Sequence, residues 1–120
     1  MREAEAIRIL EDVVRNIPPE RRRSARSFHD AVDFGLVQLG WRVHREFRAP
    51  HRGDGRSGLI DLVITFPVRM GIEIDNSVPR QKSLFKLRDF VGLRVVILRT
   101  ATDGRSAKPG KEVVVINARG

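Results

Sequence analysis

Three carboxylates lie inside two short apolar segments in the middle of the chain. Asp61 interrupts the run 59–66, and Glu73 and Asp75 interrupt the run 70–75. Acidic residues are depleted from strand interiors and cost free energy when they are buried without a partner. Because side chains alternate along a strand, Glu73 and Asp75 fall on one face, which Asp61 can share if the two strands are neighbours. Carboxylates that converge in this way bind a hard divalent cation, Mg²⁺ or Mn²⁺, through oxygen.

Such a cation would support the hydrolysis of a phosphate ester. It polarises a phosphoryl oxygen and lowers the pKa of a bound water. A nearby amine can orient that water and offset charge in the transition state. Two of the four lysines, Lys82 and Lys86, follow the acidic segments directly.

Each of these residues also has a purely structural interpretation. Asp61 could cap a strand end or pair with an arginine, and Glu73 and Asp75 could form cross-strand salt bridges. Pairing all three acids would need two or three buried arginines, so a metal ion is the simpler explanation. Lys82 and Lys86 could be ordinary exposed helix residues, as most lysines are.

The composition favours a polyanionic partner. The chain has 120 residues, a net charge of +8 and a pI of about 11.3. Nucleic acid is the leading partner, and solubility alone is the alternative explanation of the charge. A homodimer or a larger complex is a further expectation.

The absence of cysteine excludes disulfides and thiolate metal sites. It fits a reducing compartment, so a cytoplasmic, intracellular location is expected. No apolar run reaches the ~18 residues of a membrane span, and the start of the chain lacks the apolar core of a signal peptide. No membrane is therefore expected as a partner.

Hydrophobic periodicity predicts three helices and five strands in one domain, residues 1–120. The helices are predicted at residues 2–16, from Ser24 or Ser27 to Leu39, and from 78 to 90 or 91. The strands are predicted at residues 41–49, 59–66, 70–75, 93–100 and 111–118. The fold class is α/β (α+β), a mixed central sheet flanked by helices. It has an αβββαβ core at 24–100, an N-terminal helix within 1–17 and a peripheral C-terminal strand at 111–118.

The same periodicity predicts which side chains are buried. The second helix is expected to bury Phe28, Val32, Leu36 and Leu39. The third is expected to bury Leu84, Leu87 and Val91, with Lys82 and Lys86 on a different face. In the first acidic strand, one face is expected to carry Ile60, Leu62, Ile64 and Phe66. The segments 50–58 and 102–110 are predicted to be loops.

This order of elements, with the spacing Asp61…Glu73-Ile74-Asp75, resembles the PD-(D/E)XK nuclease superfamily, the restriction-endonuclease-like fold. The resemblance covers roughly residues 24–100, and its motif is short, so motif and topology carry it together. It implies a metal-dependent DNA endonuclease that hydrolyses phosphodiester bonds with Mg²⁺ or Mn²⁺. The hairpin aspartate, here Asp61, and the glutamate of E-x-K, here Glu73, would ligate the metal. The backbone carbonyl of Ile74 and the carboxylate of Asp75 are further candidates.

The chain departs from the family pattern at the catalytic lysine. Asp75 occupies the E-x-K lysine position, and Ile60 stands where the family has proline. Some branches of the family carry the lysine on the following helix, where Lys82 lies in the first turn, nearest the strand end, and is preferred to Lys86. Gln81 beside it is another polar candidate by resemblance. The alternative is a nuclease fold without catalysis, serving as a nucleic-acid-binding module or an assembly subunit.

The family also often draws an auxiliary metal ligand from the first core helix. Asp30 and Asp33 are available there, and Glu46 on the first strand is a third choice. His29 is expected near the site if that helix packs beside it, although the three histidines lack zinc-ligand spacing.

Arginines on the basic strand face, in the following loop and before the third helix are expected to contact phosphates without reading bases. These candidates are Arg45, Arg48, Arg52, Arg56 and Arg80. The run Glu20–Arg23 is either a solvated loop or a phosphate-facing arm.

Overall fold

The computed structural model describes residues 1–48, 58–100 and 112–119. The helices are α1 (Glu3–Arg15), α2 (Ala25–Gln38) and α3 (Gln81–Leu87), with a 3₁₀ turn at Pro19–Arg22. The strands are β1 (Arg42–Arg48), β2 (Leu59–Phe66), β3 (Met70–Asp75), β4 (Leu93–Leu98) and β5 (Val114–Asn117). None of the helices in these ranges is long and apolar enough to cross a membrane. The predicted loops at 50–58 and 102–110 fall almost entirely outside the described residues.

The five strands form one mixed sheet in the order β1-β2-β3-β4-β5. The first three strands are antiparallel neighbours, whereas β4 runs parallel to β3 and β5 runs parallel to β4. Parallel neighbours need a crossover connection, and α3 supplies it between β3 and β4. The predicted α/β (α+β) class, a mixed sheet with flanking helices, is therefore confirmed.

Helices cover both faces of the sheet. One apolar cluster joins α1 and α2 to the sheet through residues such as Leu10, Phe28 and Ile72. The second, smaller cluster joins Leu87 and Phe90 to the opposite face. The sheet is therefore the middle layer of three, and the acidic strands β2 and β3 lie between two helical layers.

Helix α2 begins and ends as its sequence predicts. The Ser24 hydroxyl caps it by accepting a hydrogen bond from Ser27 N at 3.1 Å. Gly40, at φ +84°, takes the left-handed conformation that ends it. The expected burial of Leu39 is wrong, because that side chain is 53% exposed. The turn at Gly40 instead brings Trp41 into the core.

Helix α3 is shorter than predicted and presents a different face to the sheet. It begins at Gln81 instead of residue 78, and its buried residues are Ser83, Lys86 and Leu87. Phe90, just beyond the helix, is fully buried, whereas Val91 is 76% exposed. Of the expected stripe, Leu87 is buried and Leu84 packs partly buried against the same cluster, but the burial of Val91 is wrong, and so is the placement of Lys86 away from the buried face. Because the helix ends at Leu87, helical spacing does not extend to Val91.

The close approach of α3 depends on Gly71 of β3. A Cβ atom at that position would lie 3.1 Å from Leu87 Cδ2 and from Phe90 Cδ1. The absence of a side chain there lets the helix pack directly against the strand. This packing brings the polar residues of α3 over the acids of β3.

Strand β2 does not alternate regularly along its length. Leu62 and Ile64 pack in the cluster with α1 and α2, as expected for one face. Ile60 was expected beside them but packs with Val63 in the cluster under α3, and Phe66 is exposed. The alternation fails between Ile60 and Leu62, which is where Asp61 lies.

Candidate active site

Asp61 and Glu73 lie directly opposite each other on β2 and β3. The pairing of Leu62 with Ile72 fixes this register. Asp61 N donates a hydrogen bond to Glu73 Oε2 at 2.8 Å, and Ile74 N donates one to Asp61 Oδ2 at 2.8 Å. Each carboxylate thus accepts a hydrogen bond from a backbone N–H of the other strand. These bonds lie next to the pair Leu62 and Ile72, where the backbone pairing of β2 and β3 ends. The two acids of the predicted site are held together in this way.

Glu73 is buried beside a single amine. Its side chain is 0% exposed, and Lys86 Nζ lies 2.6 Å from Oε1. This contact is an ion pair between two buried side chains. Lys86 Nζ also donates a hydrogen bond to the carbonyl oxygen of Leu59 at 2.9 Å.

The surroundings of Glu73 favour its neutral form. Burial, and after it the nearby negative charge of Asp61, raises the pKa of the Glu73 carboxyl group to about 7. The contact with Lys86 and the hydrogen bond from Asp61 N oppose this rise. The carboxyl group of Glu73 therefore titrates near neutral pH.

Asp75 lies on the same strand but has a different set of partners. Its Oδ2 accepts a hydrogen bond from Arg80 N at 2.8 Å. Its Oδ1 accepts from Arg80 Nε at 2.9 Å and from Ser83 Oγ at 2.8 Å. Both oxygens are therefore occupied by the start of α3.

The predicted convergence of three carboxylates is consequently not formed. Within residues 1–48, 58–100 and 112–119, no three His, Asp or Glu side chains are grouped to hold a metal ion. Asp61 and Glu73 come together, while Asp75 is drawn towards the donors of α3.

The amine next to the acids is Lys86 and not the preferred Lys82. Lys82 is exposed in the first turn of α3, as is the neighbouring Gln81. Lys86, one turn later, reaches back under the helix to Glu73. Lys86 lies on the buried face of α3 with Ser83 and Leu87, whereas Lys82 lies on the exposed face, so the second turn of the helix lies over Glu73.

Helix α2 borders the site from the opposite layer through His29. Burial lowers the pKa of His29, and the positive charges of Arg45 and Arg99 lower it further. The negative charges of Asp61 and Asp30 act in the other direction. Among the charged groups that act on the pKa of His29, Asp61 has the largest influence.

An open hollow of about 480 Å³ lies on this side of the sheet. It is lined by Ala25, Arg26, His29, Asp30, Arg45 and Glu46. Glu46, between residues paired with Leu62 and Ile60, falls opposite Asp61 in the register of β1 and β2. Its φ of +53° is a left-handed conformation that costs a non-glycine residue free energy.

The auxiliary acids on α2 serve an arginine of β1. Arg45 Nη1 lies 2.7 Å from Asp30 Oδ1 and 3.7 Å from Asp33 Oδ2. The hydrogen bond from Arg45 lowers the pKa of Asp30. Of the three auxiliary candidates, only Glu46 faces Asp61 in the register, while Asp30 and Asp33 neutralise Arg45.

Among the predicted phosphate-contacting arginines, two have acidic partners. Arg45 pairs with the acids of α2, and Arg80 pairs with Asp75 while its own side chain is 58% exposed. Arg52 and Arg56, and the side chain of Arg48, lie outside the described residues.

Sequence reasoning underestimated Lys86 and missed Ser83. The signal was present in the spacing of the polar residues. Two acids on one face of a strand, beneath a helix, need partners on that helix at matching intervals. Ser83 and Lys86 are three residues apart, hence on one helix face, and they meet Asp75 and Glu73 respectively.

Comparison with known proteins identifies no relative. The chain matches no protein-family model, no curated protein and no solved structure. The interpretation of the site therefore depends on its own geometry and chemistry.

Proposed function

We propose that this protein is a metal-dependent endonuclease of the PD-(D/E)XK type, which hydrolyses phosphodiester bonds in DNA. The observation that carries the proposal is the pair of carboxylates, Asp61 and Glu73, locked opposite each other on adjacent strands beside a buried amine. Two acids and a lysine are rarely gathered at one point of an ordinary sheet, because burying charge is costly.

The donor set fits a hard cation such as Mg²⁺ or Mn²⁺. The Glu73 carboxylate is buried and held in one position, by Lys86 Nζ at 2.6 Å from Oε1 and by Asp61 N at 2.8 Å from Oε2. Asp61 is only partly buried. Two carboxylates with remaining positions for water and substrate phosphate are a usual Mg²⁺ arrangement. When bound, the ion would polarise the phosphoryl group and lower the pKa of a water molecule.

The residues around the pair have complementary roles in this proposal. Lys86 Nζ holds Glu73 in place and provides a fixed positive charge near the developing phosphorane charge. Asp75 orders the start of α3 through Arg80 and Ser83, and this positions Lys86. Asp75 is therefore a positioning residue and not a metal ligand.

A second candidate function is a nucleic-acid-binding module without catalysis. It is favoured by the engagement of Asp75 with α3, which leaves two carboxylates instead of three. It predicts binding of DNA that does not lead to cleavage in Mg²⁺ or Mn²⁺.

The test is cleavage of single-stranded, duplex and branched DNA by the purified protein in Mg²⁺, in Mn²⁺ and in EDTA. Asp61→Asn and Glu73→Gln keep side-chain volume and remove the negative charge. Each should reduce metal-dependent cleavage at least about 100-fold while DNA affinity in EDTA changes little. Glu5→Gln, on the exposed surface of α1, is the matched control and should cleave like the parent. Cleavage that persists in both site variants would refute the assignment, and binding without any cleavage would favour the second candidate.

A further inference from the structure

A small hollow lined by arginines lies away from the carboxylate pair. Its volume is about 230 Å³, and it is lined by Pro19, Arg22, Arg23, Arg99, Thr100 and Arg119. The 3₁₀ turn and the residue after it supply two of the arginines, and the residues that follow β4 and β5 supply the others. Because β4 and β5 are parallel, their carboxyl ends reach the same edge of the sheet. The hollow is smaller than typical cavities for drug-sized ligands, which are about 300–1,000 Å³.

One of these arginines is fixed by the fold. Arg99 Nη1 donates to the carbonyl oxygen of Arg22 at 2.7 Å, and Arg99 Nη2 donates to Asn76 Oδ1 at 2.8 Å. Arg99 N also donates to the Asp75 carbonyl oxygen at 2.9 Å, so backbone and side chain are both held. An arginine whose fork is fixed in advance loses less entropy when it binds an anion.

The hollow differs from other basic positions in its charge balance. Elsewhere, Arg15 pairs with Glu11 at 2.9 Å and Arg94 pairs with Glu112 at 2.7 Å. By contrast, the arginines of the hollow form no ion pair with an acid in the part of the chain that the structure describes. Uncompensated like charges repel one another, so their convergence costs stability unless an anion occupies the space.

We propose that this arginine hollow, formed by Arg22, Arg23, Arg99 and Arg119, binds a backbone phosphate group of a nucleic-acid strand. Guanidinium forks match the geometry of phosphate oxygens and bind them in pairs. Arg99 is held by carbonyl and amide oxygens, which do not neutralise its charge. Arg23 and Arg119 are exposed, so their side chains are able to close on the ligand. The choice of a nucleic-acid strand rests on the proposed function, whereas the phosphate chemistry rests on the hollow alone.

The hollow is separate from the carboxylate pair but lies on the same side of the sheet as His29. Arg99 influences His29 electrostatically, and His29 is in turn influenced by Asp61. Arg23 and Ala25, which line neighbouring hollows, are two residues apart in the chain. A strand bound at the arginine hollow would therefore run towards the α2 side of the candidate active site.

The test measures binding of fluorescent single-stranded and duplex oligonucleotides in EDTA over a series of salt concentrations. The double variant R23Q/R119Q changes two exposed side chains and leaves the internal bonds of Arg99 and Arg22 intact. R2Q/R8Q, on exposed positions at the start of the chain and on α1, removes the same charge elsewhere and is the matched control. We expect R23Q/R119Q to weaken binding about tenfold or more, with a salt slope shallower by about one. The control should stay within about twofold, and the Nε–Hε resonance of Arg99 should shift when the strand is added.

Three results would overturn the proposal. Equal losses in both double variants would mean that only overall charge matters, and no loss in either would mean that the strand does not use the hollow. If inorganic phosphate saturates the Arg99 resonance while R23Q/R119Q leaves strand affinity unchanged, the site belongs to a small phosphate ligand. Binding is measured without a divalent cation, so the result does not depend on cleavage. A protein that does not cleave DNA can still bind a strand at the arginine hollow, and a protein that cleaves normally can lack this binding.

Discussion

The two buried acids of β3, Glu73 and Asp75, are only two residues apart, but they make very different contacts with α3. Asp75 accepts three hydrogen bonds from the start of α3, and none of its oxygens is left without a donor. Glu73 has one backbone donor, Asp61 N, and one ion-pair partner, Lys86 Nζ, and its pKa is raised to about 7 by burial and by the charge of Asp61. An acid whose oxygens all accept hydrogen bonds is typical of a structural role, whereas an acid with a strongly shifted pKa is typical of functional sites. The comparison separates an acid that holds the fold from one that is available for chemistry.

The largest expected effect on folding comes from Asp75→Ala. Ser83 Oγ and Arg80 N would lose their acceptor, at a cost of about 3 kcal/mol in the free energy of unfolding. The ion pair with Arg80 adds little, because that guanidinium is largely exposed. Urea unfolding measures the loss, with the exposed Asp89→Ala as control. Cleavage per folded molecule should fall only several-fold, because Asp75 acts on Lys86 through the start of α3. A variant that is fully stable but inactive would reverse the roles assigned to the two acids.

Lys86→Ala should affect activity more than any other substitution on α3. The substitution removes the amine that lies 2.6 Å from Glu73 Oε1. The buried Glu73 then lies beside Asp61 without the positive charge of Lys86. We expect a loss of cleavage of about 100-fold, together with a lower affinity for Mg²⁺ because Glu73 is harder to ionise. Lys82→Ala, on the exposed first turn, serves as the matched control and should stay within about twofold. A larger loss of cleavage in Lys82→Ala than in Lys86→Ala would instead support the prediction from sequence that Lys82 is the lysine of the site.

The raised pKa of Glu73 also predicts how stability varies with pH. The folded protein holds a proton on Glu73 more tightly than the unfolded chain does, so this contribution to stability is full below about pH 4.5. It is lost as the pH rises to about 7 and amounts to roughly 3 kcal/mol at most. Unfolding measured between pH 4.5 and 8 without metal should show this decline, and Glu73→Gln should reduce it. A decline that is the same in Glu73→Gln would assign the effect to other groups.

The smallest effect tests the close packing that brings α3 over both acids. Gly71→Ala places a methyl group 3.1 Å from Leu87 Cδ2 and Phe90 Cδ1. We expect a loss of about 1 kcal/mol in stability and a several-fold drop in cleavage, because the shift of α3 also moves Lys86. The control is Gly35→Ala, which meets Val13 Cγ1 between α1 and α2 and should lower stability without a matching effect on cleavage. Equal effects of both variants on cleavage would argue against a role for α3 position.

The sequence was sufficient to predict the fold class and the meeting of Asp61 with Glu73. The fold class follows from hydrophobic periodicity, and the meeting of the two acids follows from the neighbouring order of β2 and β3. The start of α3 was not predictable in the same way, since Asp75 caps it from outside the helix through Arg80 N. The burial of Lys86 was missed because lysine is rarely buried, and the contacts with Glu73 and with the Leu59 carbonyl oxygen compensate for the lost hydration. The arginine hollow could not be foreseen, because its members come from three distant parts of the chain.

Asp61 lies at the break in the alternation of β2, and its charge acts on groups in both helical layers. It raises the pKa of Glu73 on the α3 side and opposes the lowered pKa of His29 on the α2 side. Removing the charge of Asp61 should therefore lower the pKa of both groups, one on each side of the sheet. A single carboxylate thus sets part of the electrostatic environment of both helical layers.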